Sequence, residues 1–287
     1  MRRPAPRTDV SDAGLIEAIA ADQIAARITS PEIRVEEHFD ADVTWAVAPL
    51  ADTFRNVVLG ARFTDVDADR RIAELRDTYL ARGTGFVWWV GPSDQPPDLR
   101  RRLADAGLAL EGSAPAMAAD LADVPLDEPP PTDLEIVPVT DAATLEEFLA
   151  VIAADWLEYA GGEPNAVQQR TLDAWRRQIP ARLPSEPVPL RWIGRVDGAV
   201  AATSRIAIGA GVAGLYAIST LPAHRGRGIG RAMTIAALRA ARDIGYRIAV
   251  LQSSDLGLGV YRRLGFRELF TYDVYVHPGP PEPEAAM

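Results

Sequence analysis

Residues 212–231 read VAGLYAISTLPAHRGRGIGR, and this stretch decides the fold. Val212–Ser219 reads as a strand, and Gly228–Ile244, closed by Gly245, reads as a helix. Between them lies His224-Arg225-Gly226-Arg227-Gly228-Ile229-Gly230-Arg231, placed where a phosphate site can be built. Glycines at 226, 228 and 230 allow a tight turn and close backbone approach to an anion, and the first-turn amides of the following helix have no internal partners. The helix dipole adds to the field of the arginines. Three alternating glycines alone also fit a plain turn before a helix. A dinucleotide-binding unit would need Gly-x-Gly-x-x-Gly and an acidic strand end some twenty residues on, whereas the next strand ends in Leu251-Gln252-Ser253-Ser254.

Charge supports the anion reading. The chain carries a formal net charge of −10, which argues against nucleic acid as a partner. Yet Leu221–Phe270 holds nine arginines against only Asp243, Asp255 and Glu268, so a positive segment sits inside an acidic protein and suits a small polyanion. Lysine is absent, which removes Schiff-base chemistry and the P-loop lysine. Cysteine is absent too, which removes disulfides, thiolate nucleophiles and cysteine-ligated metals. The three histidines, His38, His224 and His277, are scattered and no Gly-x-Ser-x-Gly elbow accompanies them, so neither a serine hydrolase nor a histidine metal site is expected.

With 287 residues and 48% hydrophobic content, the chain can form two domains of ordinary size. Its N-terminus runs into Asp9, Asp12 and Glu17 rather than an apolar core, so no signal peptide and a cytoplasmic location are expected. Ile206–Ala223 lacks charge, but Gly209, Gly211, Gly214 and Pro222 favour two short strands over a membrane helix. No membrane partner is expected.

The proline-rich acidic stretch 123–133 reads as a semi-rigid spacer and marks the expected domain boundary, and 278–287 reads as a disordered tail. Helices are expected at 12–27, 67–82, 97–106, 142–159, 167–179, 228–244 and 258–264, with strands at 43–50, 56–63, 85–90, 115–121, 134–139, 190–196, 199–208, 212–219, 247–252 and 269–276. The order strand, helix, strand, helix, strand recurs in 56–121 and 212–276, which suggests an internal duplication whose first copy lacks the glycine loop.

Arg225-x-x-Gly228-x-Gly230, preceded by Ile218-Ser219-Thr220-Leu221-Pro222 and followed by Tyr261-Arg262-Arg263-Leu264-Gly265-Phe266, resembles the GNAT superfamily of acyl-CoA-dependent N-acetyltransferases. The resemblance is clear over 134–276, and 1–122 resembles a degenerate copy. It implies a mixed α/β fold, a central mostly antiparallel sheet flanked by helices and duplicated along the chain, with an active domain at 134–277. It further implies acetyl-CoA as co-substrate, no metal, and an amine acceptor, either small or peptide, with the protein a monomer or homodimer. Carried onto this chain, the backbone at Ile218, Ser219 and Thr220 would pair with the pantetheine arm. The loop Arg225, Gly226, Arg227, Gly228, Ile229, Gly230 and Arg231 would hold the pyrophosphate, with Ser254 near the cofactor arm or serving as a helix N-cap. Tyr261 matches the tyrosine that protonates the departing thiolate in many members, or else packs beside Leu264 and Phe266.

One departure stands out. Many members place a catalytic glutamate on the strand before the loop, and Val212–Ser219 has no carboxylate. The proton of the amine then goes to water, is already absent, or reaches Asp155 or Glu158 from the helical region. Trp156, Tyr159, Trp175 and Trp192 either line an acceptor wall or belong to the core, and Trp88 and Trp89 are expected in the core or in inter-domain packing. Two other readings are a catalytically silent acyl-CoA-binding module and a tandem acetyltransferase similar in architecture to mycothiol synthase.

Overall fold

The computed structural model describes residues 4–28, 35–48, 55–160, 166–181, 183–186 and 189–280, with backbone only for 159, 160, 166, 167 and 185. The tail beyond 280 and the Tyr159 side chain, both subjects of expectations above, lie outside the described residues.

In chain order the elements are α1 (Asp12–Arg27), β1 (Glu36–Phe39), β2 (Thr44–Val47), β3 (Val57–Leu59), α2 (Ala68–Ala81), β4 (Phe86–Val90), α3 (Leu99–Asp105) and β5 (Ala109–Asp120). There follow β6 (Leu134–Pro138), α4 (Ala142–Ala160), α5 (Ala166–Gln178), β7 (Arg191–Val196), β8 (Ala199–Ala207), β9 (Ala213–Thr220), α6 (Ile229–Asp243), β10 (Ile248–Gln252), α7 (Asp255–Arg263) and β11 (Arg267–His277). Contacts divide the chain into two compact units, residues 1–26 with 116–269 and residues 27–115 with 270–287.

The first unit has strand order β5-β10-β9-β8-β7-β6, antiparallel except where β9 and β10 run parallel around α6. Successive strand residues point to opposite faces, and on β7 Trp192 joins one apolar cluster while Ile193 joins another. The Trp192 side holds α6 through Ile229, Met233 and Leu238, together with Leu215 and Phe266. The Ile193 side holds α4 and α5 through Leu145, Leu149 and Leu172. Trp192, Trp175 and Trp88 are thus parts of packing clusters. Residues 206–223 form the end of β8, a turn in which Gly211 has φ +79°, and β9; no described helix is long and apolar enough to cross a membrane.

The second unit has order β1-β2-β3-β4-β11, with β3 and β4 parallel around α2. Ile72, Leu75 and Tyr79 of α2 pack on Phe86, Trp88 and Leu103. Trp89 lies under the Arg27 guanidinium, 4.0 Å from ring centroid to Cζ.

The division between units differs from a cut at 123–133, because both flanks of that stretch lie in the first unit. Strand exchange is the physical reason. β10 takes residues 116–120 of β5 as its antiparallel neighbour, whereas β4 takes residues 273–277 of β11, so each parallel pair is closed by a strand from the other half of the sequence. The proline-rich stretch is also docked rather than extended into solvent. Val124 and Leu126 are buried in the α6 cluster, and Arg239 of α6 donates to the carbonyl oxygens of Leu126 and, at 2.8 Å, of Glu128.

Candidate functional site

β9 and β10 pair only at Ala213↔Ala249 and Gly214↔Val250, then part. On the opposite edge of β9 the register against β8 slips between Thr203 and Arg205, where Ala217 takes φ +50° and its carbonyl accepts from the Thr203 hydroxyl at 2.9 Å. An extra residue of this kind sharpens twist and bends a strand, which turns the end of β9 away from β10. Farther along, the Leu221 amide bonds the Ala201 carbonyl at 2.9 Å. Strand alternation then aims the backbone groups of Ile218 and Thr220 to the open side.

The loop after β9 feeds α6 through Gly228, whose φ of +79° and ψ of 0° put it in the left-handed region that other residues enter only at a cost. No side chain caps the helix. The amides of Ile229, Gly230 and Arg231 therefore have no intrahelical acceptor and lie at the positive end of the helix dipole. Loop and splayed strand edge open on one cleft of about 960 Å³.

Across the cleft stands α7. Ser254 is its N-cap, with its hydroxyl accepting from the Gly257 amide at 3.4 Å, and it also lines the cleft. Tyr261 is buried, packed edge-on against Phe266 with ring centroids 5.8 Å apart, and burial pushes its phenol up to about 12. Gly257 makes room for that ring, since a Cβ there would stand 2.7 Å from Tyr261 Cε2.

Ile218, Ser219, Thr220, Arg225, Gly226, Gly228, Ile229, Gly230, Arg231, Ser254 and Tyr261 all border this cleft. Arg227 does not; its guanidinium turns to Asp133 and, at 3.3 Å, to His224 Nδ1. The other loop arginines are also paired. Arg225 grips Glu158 through two bonds of 2.6 and 2.5 Å and donates from Nε to the Thr220 carbonyl, while Arg231 grips Glu128 at 2.9 and 2.5 Å. These guanidinium groups hold the carboxyls of Glu158 and Glu128 below the usual range.

Asp155 lies on the cleft wall, one helical turn before Glu158, and its Oδ1 accepts from the Ser219 hydroxyl at 2.8 Å. Trp156 borders the cleft as well and leans on Trp175, with centroids 5.7 Å apart. Thr234, Leu256, Val260 and Arg263 also line the cleft. Sequence reading passed over them, although the spacing of 256, 257, 260 and 261 is that of one helix face. Among the described residues no group of three or more acidic or histidine side chains could hold a metal.

Residues 150–266 match the acetyltransferase (GNAT) family model, which embraces β9, the glycine loop, α6, β10 and α7. Over those residues the chain is similar to the GNAT acetyltransferases. Solved structures of similar fold include a GCN5-related N-acetyltransferase from Kribbella flavida, 20% identical with a TM-score of 0.69 over 93% of this chain and 96% of that one. A tandem GNAT protein from the clavulanic acid biosynthesis pathway gives 15% and 0.58 over 97% and 91%. A GCN5-related N-acetyltransferase from Sphaerobacter thermophilus gives 17% and 0.54 over 85% and 83%. No curated protein sequence matches the chain.

Proposed function

We propose that the protein transfers an acetyl or related acyl group from its coenzyme A thioester to a primary amine by direct attack in a ternary complex. The observation that carries this reading is the open edge of β9 running into an uncapped helix N-terminus. An extended amide-bearing arm can add to a free strand edge at Ile218 and Thr220, and a pyrophosphate can take the amides from Gly226 to Arg231.

Tyr261 supplies the proton to the leaving thiolate. With its phenol pushed up to about 12 it stays protonated at neutral pH, ready to donate. Asp155 takes the proton of the incoming ammonium, in place of the carboxylate that β9 lacks. Glu158 is a poorer base because Arg225 occupies both of its oxygens, whereas Asp155 is bonded by one oxygen to Ser219. Asp155, the carboxylate of this wall that accepts from a neutral hydroxyl rather than from Arg225, suits a cationic acceptor.

The second unit supports one cofactor site per chain. Its β3 and β4 stay paired through Val57↔Val87, Val58↔Trp88 and Leu59↔Trp89, and the bridge Arg62↔Gln95 continues the contact. The segment entering α2 carries Asp65, Asp67 and Asp69, which repel an anion rather than attract one.

Calorimetric titration with acetyl-CoA, followed by release of coenzyme A against a panel of primary amines, tests the reading. Saturable one-to-one binding and amine-dependent release are expected, with Asp155→Asn retaining binding and losing turnover. Failure of the folded protein to bind acetyl-CoA or a longer acyl-CoA would overturn it. A protein that binds but shows no amine-dependent release would be a silent binding module.

A further inference from the structure

We infer that the acidic segment at 127–133 is a tethered competitor for the loop arginines, which the phosphates of the coenzyme must displace; this rests on the cofactor reading above. Glu128 receives Arg231 Nε and Nη2 at 2.9 and 2.5 Å, and Asp133 receives Arg227. Arg231 borders the cleft, so one of the two pairs sits at its rim. Pro131 lies beside the loop itself, with its Cγ 3.8 Å from where a Gly228 Cβ would stand.

The two ends of the segment are held differently from its middle. Val124 and Leu126 are anchored in the apolar cluster, and Leu134 is buried where β6 begins, whereas residues 127–130 are exposed. Glu128 and Asp133 can therefore let go of their arginines while the anchors hold. A carboxylate on a guanidinium has the same sign of charge and occupies the same donors as a phosphate oxygen pair on that guanidinium, so the two exclude each other. Because the segment is part of the same chain, its local concentration stays high at any protein dilution. The competitor lowers coenzyme affinity without closing the cleft, and it sets how strongly binding responds to salt.

The test is calorimetry of the full chain, comparing wild type with Glu128→Gln/Asp133→Asn, each titrated with coenzyme A and dephospho-coenzyme A. Both side chains are on the surface, so the variant should melt close to wild type. Coenzyme A should bind about three- to tenfold more tightly to the variant, the scale that two weak surface ion pairs allow. A gain that disappears with dephospho-coenzyme A assigns the displacement to the 3′-phosphate, and a gain shared by both ligands assigns it to the pyrophosphate. As a second reading, amide exchange at Asp127 and Glu128, the residues of 127–130 that carry an N–H, should quicken when wild type is saturated with coenzyme A. Unchanged or weaker binding by the variant, with exchange unaltered, would overturn the competitor while leaving the cofactor site standing. Absence of binding by both proteins would overturn the cofactor reading and the competitor with it.

Discussion

A glutamate at residue 228 separates the chemistry of the loop from the mechanics of the fold. Gly228 sits at φ +79°, and Gly245, at the other end of α6, sits at φ +93°. A Cβ at 228 would find only Pro131 at 3.8 Å, and one at 245 would find nothing within 4 Å. The left-handed backbone costs a side-chain-bearing residue about 1–2 kcal/mol at either position, so each variant should melt roughly 2–8 °C below wild type. The added charge is the same in both. At 228, however, the carboxylate would face the diphosphate, at about 1 kcal/mol per unit charge across 4 Å of water. It would also disturb a charged hydrogen bond to the loop amides, itself worth about 1.5–3 kcal/mol. Together these give about 3–5 kcal/mol, a loss of at least a hundredfold in acetyl-CoA affinity. Gly245→Glu should bind like wild type. Calorimetry beside thermal melting reads both quantities; equal loss of binding in the two variants, or none in either, would refute the placement of the phosphates at the start of α6.

Tyr261→Phe should leave acetyl-CoA binding unchanged and slow coenzyme A release about a hundredfold, the scale of a general acid, as measured by thiol release. Gly257→Ala should reproduce part of that kinetic fault, because its methyl would stand 2.7 Å from the Tyr261 ring and must displace it; unaltered turnover would show that the ring position does not matter. With the Tyr261 phenol pushed up to about 12, no fall in activity below pH 10 should vanish in Tyr261→Phe. In the second unit, burial pushes the carboxyl of Asp94 up to about 6, above its unfolded value near 4. A raised carboxyl favours the folded state while protonated, so its contribution is complete below about pH 4 and is lost as pH rises through about 6. Asp94→Asn should therefore melt above wild type at pH 7.5 but not at pH 4, and a constant offset between the two would count against this account.

Local periodicity made much of the fold readable. Helix α1 occupies the same residues, Asp12–Arg27, that its apolar spacing marks out, and the loop between β9 and α6 is written in its glycines. Strand β1 was not readable: Glu-Glu-His-Phe at a sheet edge has no buried face to impose alternation. The residues that build the cleft were legible where they are close in sequence, as at 218–231. The partnerships that tune it were not. Ser219 meets Asp155 across 64 residues, and Arg225 meets Glu158 across 67, distances over which no spacing rule speaks. The acidic segment misled for a related reason: its prolines prescribe an extended chain, but whether that chain is free depends on Val124 and Leu126 finding an apolar surface.

The exchanged closing strands bear on how the chain comes off the ribosome. β4 is synthesised early, yet the neighbour that pairs with Val87, Trp88 and Trp89 is Val274–Val276, delivered only after the entire acetyltransferase segment has been made. Until then a strand rich in valine and tryptophan has one edge open, which is a template for pairing with another chain. A fragment cut at 123–133 would keep that edge open for good and would leave β10 without residues 116–120. The two halves of this sequence therefore depend on each other to fold, and an attempt to express residues 134–277 alone should yield aggregate unless residues 116–120 travel with them.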